Sequence, residues 1–225
     1  MLSETASGLE ARMDFLPADI TAYAEAHTSP ETELLRQLNR NTRAHVLAPR
    51  MLSGHLQGRF LAMIAHLICP RRILEIGTYT GYSALCLAEG LTDDGRLTTI
   101  DHNEEIEAIA RSYWRQSPLN PKIDLRIGNA ADIIPHLDET FDLVFIDADK
   151  RSNALYFDLI IDKLRPGGVV LADNVLWSGK VTGAVQSADQ DTIAVRAFNQ
   201  KIQDDPRVDN VLLPIRDGIM MIRKR

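Results

Sequence analysis

Cysteine is nearly absent from this chain: Cys69 and Cys86 are two thiols in 225 residues. They lack the Cys-x-x-Cys spacing of zinc and redox motifs, and each falls inside an apolar pattern, so both are expected to be buried structural thiols in a reducing compartment. Positive charge is also in deficit. Lys and Arg total 25 against 31 Asp and Glu, a net charge of −6. No dense basic block precedes the short Arg223-Lys224-Arg225, which excludes the electrostatic footprint of a nucleic-acid binder and favours a small-molecule substrate. No apolar stretch approaches the length of a membrane span. The stretch MLSETASGLEARMDF has neither the basic n-region nor the apolar core of a secretion signal, and a cytoplasmic location with no membrane partner is the expectation. Internal repeats and low-complexity segments are missing too. The six histidines, His27, His45, His55, His66, His102 and His136, show no ligand spacing. Surface or helix-packing roles suit them, with His45 and His55 as candidates for acceptor contacts.

What is present is a chain with 45% hydrophobic residues, enough to bury one large core. A single domain over 1–225 is expected, with a helical cap at 1–70 and an α/β core at 71–225. From Arg71 onward the short apolar runs RRILEIG, RLTTID, IDLRIG, FDLVFID and GGVVLAD alternate with segments of helical period, the pattern of an α/β fold with a parallel sheet. Ala84, Leu85, Leu87, Ala88 and Leu91 follow one helical stripe, and Ile106, Ile109, Ala110 and Tyr113 another. The end differs. VDNVLLPI and GIMMIRKR, separated by Arg216-Asp217 with Gly218 opening the second run, read as a tight antiparallel hairpin. Before Arg71, PETELLRQLNRNTRAHVLA and SGHLQGRFLAMIAHLI read as two helices joined near Pro49-Arg50-Met51. The stretch from Trp177 to about Ala188 has the composition of a flap over a site, and equally of a plain surface loop.

Two acidic clusters each close an apolar run: Asp147-Ala-Asp149-Lys150 after FDLVFI, and Asp173-Asn174 after GGVVLA. Buried parallel strands end in the crevice where open α/β sheets bind ligands. Asp147, Asp173 and Asn174 would bring three hard oxygen donors there, suiting Mg²⁺ or a similar ion, provided that their strands are neighbours. Lys150, three residues past the first, would overhang the same spot. Each cluster taken alone also reads as a helix cap or a turn.

The first strand runs into Glu75-Ile-Gly77-Thr-Tyr79-Thr-Gly81-Tyr82-Ser83 and a helix. Gly77 and Gly81 allow a tight turn and close backbone approach. Tyr79 stands where a dinucleotide diphosphate would need bare backbone, so a cofactor without phosphates is favoured. Glycines at such turns also serve as packing devices. Asp101, closing the second strand, is placed to accept hydrogen bonds from a ribose diol, or to cap the helix starting near Asn103. Gly128-Asn129-Ala130 closes the third strand, beside a possible adenine pocket.

The combination of EIGTYTGYSALCLA, Asp101, GNAADIIPHL, FDLVFIDADK, LRPGGVVLADNVLWSGKV and the closing DDPRVDNVLLPIRDGIMMIRKR resembles the cation-dependent S-adenosylmethionine (SAM) O-methyltransferases, the family of the caffeoyl-CoA and catechol enzymes. The resemblance covers about residues 45 to 225. It implies a Rossmann-like class I methyltransferase fold: a seven-stranded, mostly parallel sheet with an antiparallel C-terminal hairpin strand, helices on both faces and an N-terminal helical extension. It makes Asp147, Asp173 and Asn174 the metal ligands, for Mg²⁺ or another divalent cation such as Mn²⁺ or Ca²⁺, and Lys150 the catalytic base. Met51, Ser53, Glu75, Gly77, Tyr79, Ser83, Asp101, His102, Gly128, Asn129, Ala130, Asp147 and Tyr156 become the SAM-binding set. Met51, Lys150, Asn174 and Trp177 become acceptor contacts, and a homodimer is implied. The chain departs from the family at Asn153, where an aromatic residue is common.

The activity so implied is transfer of a methyl group to a hydroxyl of a catechol-type phenol. A divalent cation chelated by both hydroxyls would acidify and aim the attacking one, and Lys150 would take its proton, aided by burial and the nearby metal charge. Asp149 is expected to point away from Lys150. The alternatives are a nicotinamide-dependent oxidoreductase, which the glycine spacing opposes, and a non-catalytic SAM binder, which the retained Lys150 and oxygen cluster oppose.

Overall fold

A computed structural model describes residues 16–184 and 189–225. The segment 1–15, with the secretion-signal reading, and the flap residues 185–188 lie outside the described residues. A seven-stranded sheet runs in the order β3-β2-β1-β4-β5-β7-β6. Its strands are β1 (Arg72–Ile76), β2 (Arg96–Asp101), β3 (Ile123–Ile127), β4 (Phe141–Ile146), β5 (Leu164–Asp173), β6 (Val208–Leu213) and β7 (Ile219–Lys224). All five apolar runs read from the sequence are strands, and β1 to β5 pair in parallel. β7 is the antiparallel strand, paired with β5 on one side and β6 on the other.

Alternation along the buried strands sends side chains to two cores. Ile73, Leu143, Phe145 and Leu171 pack on one face. Leu74, Ile76, Val144, Ile146, Val170 and Ala172 pack on the other. Period-2 side-chain geometry makes both faces apolar, as a sheet covered on both sides requires. The first face is covered by α2 (Glu33–His45), α3 (Gly54–Ile68), α4 (Tyr82–Ala88) and α5 (Glu107–Trp114). The second carries α6 (Ala130–Ile133), α7 (Asn153–Ile161) and α8 (Gln190–Asp204).

Four expectations change. α4 is buried at every residue rather than along one stripe, because it lies under the cap helices as well as over the sheet. Cys86 is buried, but Cys69 is exposed. Cys69 ends α3 in a left-handed conformation (φ 50°), and its thiol turns back onto the carbonyl of His66. The β6–β7 connection spans residues 214–218 instead of a two-residue turn, with Arg216 (φ 51°) and Gly218 (φ 85°) both left-handed. A further helix, α1 (Ala18–Ala26), buries none of its residues, so no apolar stripe marks it in the sequence. The two helices read before Arg71 are α2 and α3, joined by a 3₁₀ turn at Pro49–Met51. Among the described residues no helix is long and apolar enough to cross a membrane.

Candidate active site

The order of strands reverses between β1 and β4, and the carboxyl ends of β1, β2, β4 and β5 face one crevice there. Ile146 pairs with Ala172, so the next rung places Asp147 and Asp173 side by side at neighbouring strand ends. This is the adjacency that the acidic clusters required.

Asp173 is buried at 3% exposure. Its Oδ1 accepts from the Asn174 amide at 2.8 Å, and its Oδ2 accepts from Gln57 Nε2 at 2.7 Å. Burial, then the negative charge of Asp147, raise its pKa above the ordinary carboxylate range, while Lys150, Gln57 and Arg216 oppose the rise. Lys150 Nζ donates to Asp147 Oδ1 at 3.2 Å, with its side chain only 8% exposed. Asn174 adopts a left-handed conformation (φ 62°), tolerated better by Asn than by most residues. Among the described residues no hydrogen bond engages its side chain. Asp149 turns away from Lys150, accepting from the Ser152 amide and from the Tyr156 hydroxyl.

A buried carboxylate whose proton affinity the neighbouring Asp147 raises, beside an amide oxygen, forms an arrangement that a divalent cation would relieve. The donors are hard oxygens, as Mg²⁺, Mn²⁺ and Ca²⁺ prefer. Among the described residues no group of three or more His, Cys, Asp or Glu is gathered; the set here is two carboxylates with one carboxamide. The residues therefore fit a resident hard cation.

On the β1–β2 side Glu75 is fully buried. Burial pushes its carboxyl up to about 8 against the hydrogen bonds of Ser83 and Thr99. Thr99 Oγ1 donates to Glu75 Oε2 at 2.6 Å and shares a hydrogen bond with Thr78, whereas among the described residues Glu75 Oε1 is buried without a hydrogen-bond partner. Asp101 does not cap the following helix, a role taken by Asn103. Its carboxylate instead accepts from the backbone amides of Thr78 (3.0 Å), Tyr79 (2.9 Å) and Asn103 (2.9 Å). The glycines act as packing devices. A Cβ on Gly77 would lie 2.1 Å from the Asp147 carbonyl, and one on Gly81 2.6 Å from the Trp114 indole.

The remaining expected residues divide. Ser53, Ser83 and Ala130 are buried. Gly128 turns the chain after β3, and Asn129 caps α6 by accepting from the Ala131 amide. Tyr79 reaches the cap, its hydroxyl donating to the Leu47 carbonyl at 3.0 Å. Met51 is 57% exposed. Trp177 is partly buried in a left-handed turn (φ 47°), three residues after Asn174. His102 projects into solvent, 3.8 Å from Asp101. His45 is exposed, and His55 bonds the Ser29 carbonyl. Asn153 is buried, with neither atom of its carboxamide hydrogen-bonded among the described residues.

Sequence reasoning missed Gln57 and Arg216. Arg216 Nη1 donates to Gln57 Oε1 at 2.9 Å and to the carbonyls of Leu52 and Ser53. Gln57 carried a legible signal: it sits in register with Leu61 and Ala65 on the buried stripe of α3, where a polar side chain needs a partner. Arg216, Ser53, His55, Glu25 and Glu31 also line a cavity of about 430 Å³ walled by the cap helices and the β6–β7 loop.

The chain matches a family model described as O-methyltransferase over residues 25–225. A probable caffeoyl-CoA O-methyltransferase of Dictyostelium discoideum is 33% identical over 210 residues, covering 91% of each chain. Two solved structures superpose on it: an O-methyltransferase from Bacillus cereus in complex with SAH (32% identity, TM-score 0.84, covering 92% of this chain and 97% of that one) and one from Streptomyces achromogenes, involved in tomaymycin synthesis, in complex with SAM (31%, TM-score 0.83, 92% and 96%).

Proposed function

We propose, from the premise that this chain belongs to the O-methyltransferase family, that its SAM-dependent methyl transfer is directed by a divalent cation onto one hydroxyl of a catechol-type phenol. SAM-dependent O-methyl transfer of the caffeoyl-CoA type follows from the family itself, which leaves no room for the nicotinamide alternative. Metal dependence and the vicinal diphenol are the part proposed. The observation that carries them is the convergence of Asp147, Asp173 and Asn174 with Lys150 at adjacent strand ends.

A sulfonium is already a reactive methyl donor, so this chain must hold a deprotonated oxygen in line with the methyl carbon. Asp147, Asp173 and Asn174 would hold the cation; when bound, a divalent ion acidifies a coordinated hydroxyl and fixes its direction. Lys150 Nζ, beside Asp147 Oδ1, would receive the hydroxyl proton as the neutral amine, having first given up its own to solvent. Glu75, Ser83, Asp101 and the backbone at 77–79 and 128–130 line the donor side. Met51, Ser53 and Trp177 border the acceptor side. Tyr156, tied to Asp149, buttresses the donor side from beneath the Lys150 turn. The homodimer belongs to this proposal as well, with exposed Met63 and Leu67 on α3 as apolar surface to cover; light scattering decides it.

The test is a methyl-transfer assay over paired catechols and monophenols, with Mg²⁺ and after EDTA. Catechols should react, chelation should stop the reaction and added Mg²⁺ should restore it. Equal rates for a monophenol and its catechol, or indifference to EDTA, would sink the proposal.

A further inference from the structure

The loop between β6 and β7 reaches back across the sheet and holds both flanks of the acidic cluster. On one side Asp217 and Gly218 carbonyls accept from the amides of Leu176 (2.9 Å) and Val175 (3.1 Å), the residues that follow Asn174. On the other, the Arg216 guanidinium gathers the carbonyls of Arg50, Leu52 and Ser53 and the side-chain oxygen of Gln57. Gln57, itself fully buried, passes its Nε2 to Asp173 Oδ2 at 2.7 Å. Arg216 does this from a left-handed backbone (φ 51°), a conformation that is strained for a non-glycine residue. Such strain persists where surrounding contacts over-determine it.

The polarity of the chain Arg216–Gln57–Asp173 is forced. Arg offers only donors and an ionised carboxylate only acceptors, so a single orientation of the Gln57 carboxamide satisfies both neighbours. Its oxygen must face Arg216 and its nitrogen must face Asp173. With Oδ2 held by Gln57 and Oδ1 by the Asn174 amide, the Asp173 carboxylate is oriented from both of its oxygens, and each retains a lone pair for a further partner.

We infer that Gln57 is a positioning residue for Asp173, oriented by Arg216, and that this relay sets the cation affinity of the crevice. The inference rests on the metal reading of the proposed function. Partners that orient a metal-ligating carboxylate change metal affinity by about tenfold to a hundredfold when removed.

The experiment is Mn²⁺ titration by calorimetry, without turnover, on the full chain and on Gln57→Leu, Arg216→Gly and the double variant, each checked by circular dichroism for folding. Glycine suits the left-handed backbone at 216, so Arg216→Gly removes the guanidinium without straining the loop and stays informative if Gln57→Leu fails to fold. Gln57→Leu should weaken Mn²⁺ binding about tenfold and Arg216→Gly by less. The double variant should be no weaker than Gln57→Leu alone, since two links of one relay do not add. Wild-type affinity in Gln57→Leu or in Arg216→Gly, or strictly additive losses, would overturn the relay while leaving the metal site standing. A wild-type chain that binds no Mn²⁺ would overturn both.

Discussion

The two sides of the crevice satisfy their polar groups over different distances along the chain. On the β1–β2 side Glu75, Thr78, Tyr79, Thr99 and Asp101 bond one another across separations of 21 to 24 residues. On the β4–β5 side Asp173 depends on Gln57, 116 residues away, and Gln57 on Arg216, a further 159 away. The first side is completed by a local β-α-β unit. The second is completed only when the cap and the last hairpin have closed on the sheet, and it gathers like charges, Asp147 and Asp173, that Lys150 and Arg216 offset only in part. Like-charge strain should therefore reside on the acceptor side, whereas the turn built around Asp101 stabilises the donor side, a division common where activity needs an arrangement that folding alone disfavours.

Substitution at Asp173 breaks this comparison most sharply. Asp173→Asn keeps the shape and removes a buried charge beside Asp147. Turnover with Mg²⁺ should fall by about a thousandfold, the equivalent of several kcal/mol of lost Lewis-acid stabilisation. The melting temperature of the metal-free protein should rise at pH 7, because removing a carboxylate whose pKa burial and Asp147 raise, and which opposes folding once ionised, outweighs the one hydrogen bond, about 1 kcal/mol, that an amide nitrogen facing Gln57 or the Asn174 amide forfeits. Parallel activity and melting measurements check it; a drop in both would mean that Asp173 stabilises the fold. Lys150→Ala follows. Loss of the proton acceptor should lower kcat by about 10² to 10⁴ with SAM affinity unchanged, as read by titration beside the assay. Undiminished turnover would remove Lys150 from the mechanism.

Glu75 tests the donor side against pH. Its folded pKa of about 8 stands above the ordinary carboxyl value of 4.5, so between those values the folded chain keeps a proton that the unfolded chain has lost. Stability consequently declines as pH climbs through that window, by a few kcal/mol at most, at about 1.4 kcal/mol per pH unit. Glu75→Gln, which mimics the protonated form, should match the parent near pH 4.5 and exceed it increasingly toward pH 8. Melting curves across that range check the trend; parallel curves would mean that Glu75 is ionised throughout.

The same difference in range explains what the sequence reveals. Strand ends, the acidic clusters and the need for neighbouring strands follow from apolar runs and the residues that close them. The motif family then supplies roles that geometry alone does not carry. Gln57 escaped because its meaning lies in two partners far along the chain, although a glutamine in register with Leu61 and Ala65 was already a visible anomaly. Arg216 escaped because the hairpin looked like a two-residue turn, while Pro214 and the left-handed Arg216 and Gly218 make it a longer brace. Gly77 and Gly81 were visible, but only the packing against Asp147 and Trp114 tells why they are glycine. Asn153 stood out as a departure, and its burial gives it no access to solvent.

The smallest effect sharpens the comparison through identical chemistry. Asp101→Asn makes the same atomic change as Asp173→Asn, at a carboxylate that accepts three backbone amides instead of facing another carboxylate. An amide nitrogen cannot accept, so whichever way the new side chain turns, at least one amide among Thr78, Tyr79 and Asn103 loses its partner. Each lost bond at this half-buried turn costs about 1 kcal/mol, and the melting temperature should fall by a few degrees. One substitution type should thus stabilise the metal-free protein at 173 and destabilise it at 101. Shifts of the same sign at both positions would dissolve the division between the satisfied turn around Asp101 and the strained carboxylates at the acceptor side.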